Sequence, residues 1–314
     1  MTPEIAVVIP THERETRLAF ALEALAGQTL ARDRFEVIVV RSAEGSGPFA
    51  AAPPGLDVKF LEHRGPRGPG AQRNTGWRAT DAPLVAFTDD DCRPAPDWLE
   101  LMLGASRDGA IVQGCTFPDP SERHLLLGFA RSMELGHASE WYETCNIAYP
   151  RDLLERLGGF DDEFRFAAED GDLGLRAREA GAGRVFEIRS IVLHAVHPLS
   201  LRQALRSTRV SATIPLLVGR HPVHRENLVA GVFWKPSHLR LPLALVGLAV
   251  ARRRPVLGLA AVLPYLDLYV GWRAVTTPRG AARAAIDLAG RALVDATEIA
   301  HTLRGAIRER VLVI

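Results

Sequence analysis

Cysteine is scarce in this 314-residue chain: Cys92, Cys115 and Cys145 are the only three, and no pair has CxxC spacing. That spacing excludes a disulfide framework and a cysteine zinc site, and it fits a reducing compartment. Long apolar runs are missing as well. None reaches about 18 uninterrupted residues, so no ordinary membrane-spanning helix is evident. The first apolar run, Ile5–Pro10, is too short for a signal peptide and is flanked by Glu4 and His12. No GxGxxG follows that run and no P-loop motif occurs anywhere, so dinucleotide and P-loop readings lose their main support. Net charge is almost absent, at +1, and no nucleic-acid partner is expected.

Apolar residues make up 47% of the chain and charged residues 24%, which is enough for a packed core in one large or two smaller domains. The charge is unevenly spread. Residues 1–200 carry 21 Lys/Arg and 31 Asp/Glu, and residues 201–314 carry 17 and 6. The basic segment therefore has a partner of its own, such as anionic lipid, a polyphosphate or the acidic first segment. Ile5–Ile9, Phe35–Val40 and Val58–Leu61 are short β-branched runs with helical periodicity between the first two, the pattern of parallel βαβ units. A Gly/Pro loop then leads into a helix over Ala71–Ala79, with Arg73 and Asn74 near its anion-favouring start. Arg73 there is either a ligand contact or a surface salt bridge.

The stretch Leu84–Trp98, LVAFTDDDCRPAPDW, organises the rest. An apolar strand, Leu84–Thr88, runs into Asp89, Asp90 and Asp91. Unpaired carboxylates are too costly to bury in a core, and open α/β sheets bind ligands at the carboxyl ends of their strands. Strand alternation puts Asp89 and Asp91 on one side and Asp90 on the other. Two hard oxygen ligands on one side suit Mg2+ or Mn2+ carrying a diphosphate, and a solvated acidic turn is the plainer alternative. Downstream, Leu125–Met133 is expected as a short helix, Thr144–Tyr149 as a strand and Arg151–Leu157 as a helix closed by Gly158-Gly159. Glu169-Asp170 opens a further helix, where Asp170 or Asp172 can also serve as N-cap. Arg184–Ile188 and Ile191–Leu193 are expected as two strands.

In this order VVIPTHER, VIVV, GAQRNTG and FTDDDCRPAPDWL resemble the family 2 glycosyltransferases, α/β proteins of the glycosyltransferase-A fold with a mostly parallel central sheet. Asn146, the GGFD run, the ED dyad and the DLGLR helix continue the likeness, which covers about residues 4–200. The resemblance implies an inverting, metal-dependent transfer of one sugar from a nucleotide-diphosphate sugar to a hydroxyl. The acceptor implied is a glycan or lipid-linked precursor of the cell envelope. It puts Pro10, Thr11, Glu13, Arg14, Arg41, Arg73, Asn74, Asp89 and Asp90 around the donor nucleotide, and Asp91, Asp89 and His194 (with His197 second) on Mn2+ or Mg2+. It makes Asp170 the general base, with Glu169 beside it, and sets Asn146, Trp141, Gly159 and Phe160 on the acceptor side. One departure stands out. Where the family usually carries aspartates that read the base, this chain has Arg41-Ser42-Ala43-Glu44, which leaves the nucleobase open. Two rival readings share these residues: a non-catalytic nucleotide- or glycan-binding membrane partner, and a metal-dependent phosphohydrolase.

Residues 1–200 are thus expected as the catalytic domain, and 201–314 as a basic helical extension. Leu199–Val218 has amphipathic helical periodicity and carries Arg202, Arg206 and Arg209. Two apolar runs follow, Leu241–Ala251 and Val256–Val270, split by Arg252-Arg253-Arg254-Pro255. They are either a hairpin packed on the protein, a monotopic element in a bilayer interface, or an oligomer contact. Trp234, Lys235, Tyr265, Tyr269 and Trp272 flank them as interface anchors do. The cytoplasmic face of a membrane is the expected location. No QxxRW occurs, the motif of the family's processive synthases, so a single-sugar transfer is expected.

Overall fold

The computed structural model describes residues 2–43, 51–65, 67–165, 167–270 and 278–314. They fall into two compact units, one of residues 1–126 with 131–197 and one of residues 127–130 with 198–314.

The first unit is built on an eight-stranded sheet. Its strands are β1 (Ile5–Thr11), β2 (Phe35–Ser42), β3 (Val58–His63), β4 (Leu84–Phe87), β5 (Cys92–Pro94), β6 (Ile111–Pro118), β7 (Ile147–Pro150) and β8 (Arg184–His194). They lie in the order β3-β2-β1-β4-β7-β6-β8-β5. β1 pairs in parallel with β2 and β4, β2 with β3, and β6 with β8. β7 is antiparallel to both its neighbours, and β5 to β8. All seven residues of β1 are buried, as a central parallel strand covered on both faces requires. Leu18, Leu22 and Leu25 of α1 (Glu15–Ala26) pack with Ile5, Val7 and Ile9 on one face of the sheet. On the other face Trp77, from α2 (Pro69–Trp77), packs with Ala6, Val8 and Val40. Gly76 permits that approach, since a Cβ there would press into Val8. α3 (Trp98–Ala105), α4 (Arg151–Leu157) and α5 (Glu169–Glu179) complete the unit.

Several expectations need correction. β5 is too short to show in the sequence pattern and forms only because β8 supplies an edge. The two expected strands over 184–193 are one strand, whose register against β6 jumps between Gly114 and Cys115. No helix forms over Leu125–Met133. A 3-10 turn spans Pro120–Leu125, and Arg131 and Leu135 bridge to His197 and Thr116 instead.

Asn146 is the clasp of this irregular part. It is fully buried, its Oδ1 accepts from Trp98 Nε1 at 2.8 Å, and its Nδ2 donates to the carbonyls of Cys115 at 2.6 Å and Ser190 at 3.0 Å. The assignment of Asn146 to the acceptor side is therefore corrected, because its side chain is spent on α3, β6 and β8.

The second unit is helical. α6 (Leu201–Ser207) is capped by Ser200, with Gln203 closing a capping box. A 3-10 segment, Thr208–Thr213, and α7 (Ile214–Arg220) follow, so the single helix expected over 199–218 is broken in three. α8 (Pro236–Ala251) and α9 (Pro255–Tyr269) form a hairpin beside α10 (Pro278–Glu309). Tyr265 and Tyr269 turn inward, each donating to Asp295 Oδ2 at 2.8 Å, so they are not interface anchors. Trp272 lies outside the described residues. Among the described residues no helix is long and apolar enough to cross a membrane.

Replacing Asn146 by Ala leaves three buried partners without a hydrogen bond. Urea denaturation should show a loss of about 3 kcal/mol or more.

Candidate active site

The site forms where the parallel strands end. β1 stops at Thr11, and the chain turns through Glu13, at a positive φ of 52°, before α1 begins. That left-handed residue, unusual for a side chain with a Cβ, sits directly before Arg14. β4 stops at Phe87, and Asp89–Asp91 occupy the turn that leads into β5. The alternation expected of them does not apply, because they are not in a strand. Asp89 turns to Arg73, while Asp90 and Asp91 share Arg14 Nη1, at 3.0 and 2.7 Å.

Asp90 is buried, and its Oδ2 accepts from Thr11 Oγ1 at 2.7 Å. Burial pushes its carboxyl up to about 6, against the pull of Arg14. Asp91 goes the other way. Burial opposes its charge, but the hydrogen bond from His197 and the charges of His194 and Arg14 outweigh that and hold it well below the usual carboxylate range.

Two imidazoles converge on Asp91. His197 Nε2 lies 2.8 Å from Asp91 Oδ2, and His194 Nε2 lies 3.7 Å from Oδ1. His194 Nδ1 faces the carbonyl of Ala195 at 2.8 Å. A carbonyl only accepts, so Nδ1 carries a proton, and Nε2 is the ring atom turned toward the Asp91 carboxylate. An imidazole oriented by a carbonyl, with its other nitrogen turned toward a carboxylate, is the usual arrangement of a metal ligand. Ligand atoms of Asp91, Cys92 and His194 lie within 4.8 Å of one another. The fit for a divalent cation comes from the carboxylate and the imidazole. Burial pushes the Cys92 thiol well up, so it stays protonated and points at Asp91 Oδ1 at 3.9 Å. Asp89 is not in this group among the described residues.

The opposite wall is α5. Its N-cap is Ala168, at φ 70°, so Asp170 is not the cap. Asp172 is not the cap either, since its buried carboxylate accepts from Arg176 Nε at 2.8 Å. Arg73 joins this wall to the aspartate turn. It is buried, donates from Nη2 to Asp89 Oδ1 at 2.7 Å and from Nη1 to Glu169 Oε1 at 3.1 Å, and lies over the Phe160 ring. The reading of Arg73 as a surface salt bridge is thereby excluded. Burial pushes the Glu169 carboxyl up despite Arg73. Burial, with the Glu169 charge added, pushes Asp170 up further. A carboxyl poised high has the property a general base needs.

Asn74 is a second clasp rather than a donor contact. Its Nδ2 donates to Phe160 O at 2.7 Å, and its Oδ1 accepts from Phe160 N and Trp77 Nε1, both at 2.9 Å. Gly159, at φ 79°, has to be glycine beside it, because a Cβ would collide with Asn74 Oδ1. Gly159 and Phe160 thus brace α2, and Trp141 sits half-buried in the turn before β7. Pro10 is buried within β1 opposite Val40. Arg41 pairs with its cross-strand neighbour Glu62 at 2.7 Å, and Glu44 lies outside the described residues. Sequence reasoning missed Gln72, whose Nε2 donates to the carbonyls of Thr11 and Val40 at 2.9 Å and so ties the ends of β1 and β2. It also missed Glu122, which accepts from Val196 N at 2.8 Å, between the two histidines. Neither carries a motif.

A mostly parallel sheet with an acidic turn after its fourth strand is the glycosyltransferase-A fold, and solved structures share it. One is the mannosyltransferase PcManGT from Pyrobaculum calidifontis, in complex with GDP-Man and Mn2+. It matches with a TM-score of 0.57 at 19% identity over 99% of this chain and 88% of that one. Another is S. aureus TarS in complex with UDP, at a TM-score of 0.51 and 15% identity over 99% and 92%. The chain belongs to glycosyl transferase family 2, whose family model matches residues 6–151. It is 31% identical over 249 residues to a pre-mycofactocin glycosyltransferase of Mycobacterium tuberculosis, across 72% of this chain and 50% of that protein. It is 27% identical over 276 residues to a validoxylamine A glucosyltransferase of Streptomyces hygroscopicus subsp. limoneus, across 74% and 59%. The chain therefore spans about half to three-fifths of the length of these two relatives.

Arg73→Met removes the charge that offsets Asp89 and Glu169 together. Chemical denaturation should register a loss of about 3–5 kcal/mol, the usual cost of breaking a buried pair from one side. Arg73→Lys should recover little, because an ammonium is a point charge that cannot bridge two carboxylates as a fork does.

Proposed function

We propose that this protein transfers one sugar from a nucleotide-diphosphate sugar to a hydroxyl, with inversion, on a glycan or lipid-linked acceptor of the cell envelope at the cytoplasmic face of the membrane. The observation that carries the reading is the juxtaposition Arg73 makes, with a metal-ligand cluster centred on Asp91 on one side and the raised Glu169–Asp170 pair on the other. The named glycosyltransferases among its relatives support it.

In this reading Thr11, Arg14 and Asp89–Asp91 receive the donor nucleotide, with Asp89 on its ribose or on the metal. Asp91, with His194 and His197, holds Mn2+ or Mg2+. The chemistry such a cation supplies is neutralisation of charge on the departing diphosphate. Asp170 takes the proton of the acceptor hydroxyl as that oxygen bonds to the anomeric carbon, and the bond from that carbon to the diphosphate breaks on the opposite face. Glu169, fixed by Arg73, holds Asp170 in place and keeps its carboxyl high.

Three outcomes test this. In thermal shift with UDP, GDP, dTDP and CDP, one nucleotide should stabilise the protein in the presence of Mn2+, by about 2.7 kcal/mol at a hundredfold excess over Kd. Asp91→Asn should lose the metal-dependent part, and no shift with any nucleotide would sink the donor site. Asp170→Asn should keep nucleotide binding and slow transfer by on the order of 10²-fold or more; unchanged turnover would put the base elsewhere. The pH profile follows from the same group. Asp170 accepts a proton only when ionised, and its carboxyl is raised, so kcat should climb with pH through a limb lying above the ordinary aspartate range.

A further inference from the structure

The α8–α9 hairpin is built inside out for a protein in water. Its two helices touch through small residues. A Cβ added to Gly247 would lie 2.8 Å from the Gly258 carbonyl oxygen and 2.8 Å from Ala261 Cβ, and one added to Gly258 would lie 2.6 Å from Ala251 Cβ. The large side chains face away. Leu243, Leu245, Val246 and Leu248 of α8 are 48–61% exposed, and steps of 100° per residue spread them over more than half of the helix circumference. Val256, Leu257, Leu259 and Leu263 of α9 are 42–79% exposed and make up its outward side. Among the described residues the base is held where Leu241, Ala244 and Tyr265 pack with Leu288, Ala292 and Ile299 of α10.

That distribution selects the occupant. A second copy or a protein groove covers one face of a hairpin, whereas two helices that both turn leucine and valine away from their mutual contact call for an apolar medium on both outer sides. Close packing through glycine and alanine, with leucine outward, is how helices associate where the surroundings are as apolar as leucine itself. Charge agrees. From residue 227 to 266 there is no Asp or Glu, while Lys235, Arg240, Arg252, Arg253 and Arg254 are present. The three consecutive arginines form the tip between the helices, all exposed. Helices of 16 and 15 residues are about 24 Å long, short of the roughly 30 Å hydrocarbon core. With cations at its tip, the hairpin therefore lies within one leaflet instead of crossing.

We infer that the α8–α9 hairpin is a monotopic anchor, embedded in one leaflet of an anionic bilayer with Arg252–Arg254 on lipid phosphates. The inference rests on the membrane location proposed above but not on the transfer chemistry.

The test is flotation of the full chain with vesicles of phosphatidylcholine, alone and mixed with phosphatidylglycerol, at low and high salt. Binding should favour the anionic vesicles and weaken with salt. Replacing Arg252, Arg253 and Arg254 by Gln should weaken binding to them about a hundredfold. The double variant Val246→Glu with Leu259→Glu changes only exposed positions and should abolish binding, with far-UV circular dichroism and melting temperature unchanged. Three results would overturn the inference: no binding of the unaltered chain to either vesicle, binding that survives the double variant, or a dimer in light scattering that the double variant dissociates while vesicles capture nothing. Partition is the readout, so it is independent of whether transfer or nucleotide binding is ever observed.

Discussion

Everything in the first unit leans on one buried guanidinium. Arg73 enters from α2, 16 residues before Asp89 in the chain and 96 before Glu169, and bonds to both. A charge in that position is tolerable only because two carboxylates meet it, and the carboxylates are tolerable only because of Arg73. The coupling runs through acidity too, since Arg73 pulls down the same two α5 carboxyls that burial drives up. The triad makes the aspartate turn and the start of α5 one object, which is the fixed relation the proposed transfer needs between its leaving-group side and its base.

The supports of that object are hydrogen-bond clasps and locally awkward backbone. Asn74 grips the Phe160 backbone on both sides, and that grip fixes the rotation of α2 that aims Arg73. Gln72, one residue earlier, grips the ends of β1 and β2. The two positive-φ residues beside the site, Glu13 and Ala168, each stand immediately before a residue that carries charge into it, Arg14 and Glu169. A left-handed conformation at a residue with a Cβ costs on the order of 1 kcal/mol and persists only where the surroundings hold it. Here it re-aims the chain where a regular strand-to-helix junction would have sent those side chains elsewhere.

The same supports decide what the sequence makes legible. The parallel strands are legible because burial on both faces leaves continuous apolar runs such as Ile5–Ile9. The candidate site carboxylates stand out because three in a row at a strand end are too costly to bury unpaired. Asn74 and Asn146 are legible as important, but their roles as clasps are not. A motif marks a position without saying whether its side chain faces a ligand or the backbone. The direction of Asp89–Asp91 is not legible either, because alternation ends where the strand ends, at Phe87. β5, the bulged β8 and the broken helix over 199–218 come from long-range pairing and packing that leave no local period.

The second unit inverts the usual division between inside and outside, and its interior shows that the inversion is built. Glu298 of α10 accepts from Lys235 Nζ at 2.8 and 2.9 Å and meets His238 Nε2 at 3.2 Å. Burial opposes the Glu298 charge, yet His238 and Lys235 outweigh it and keep the carboxyl below its ordinary range. Asp295, one turn earlier, takes two tyrosine hydroxyls, and burial together with Asp295 pushes both phenols up. Polar groups thus lock the base of the hairpin to α10, while leucine and valine are left outside. Polar contacts are directional and apolar ones are not. A base fixed in part by ion pairs keeps its geometry whether the helices beyond it stand in water or in lipid. Leu241, Ala244 and Tyr265 pack on α10 beside these polar contacts, so the base combines apolar burial with directional bonds that hold it in one arrangement.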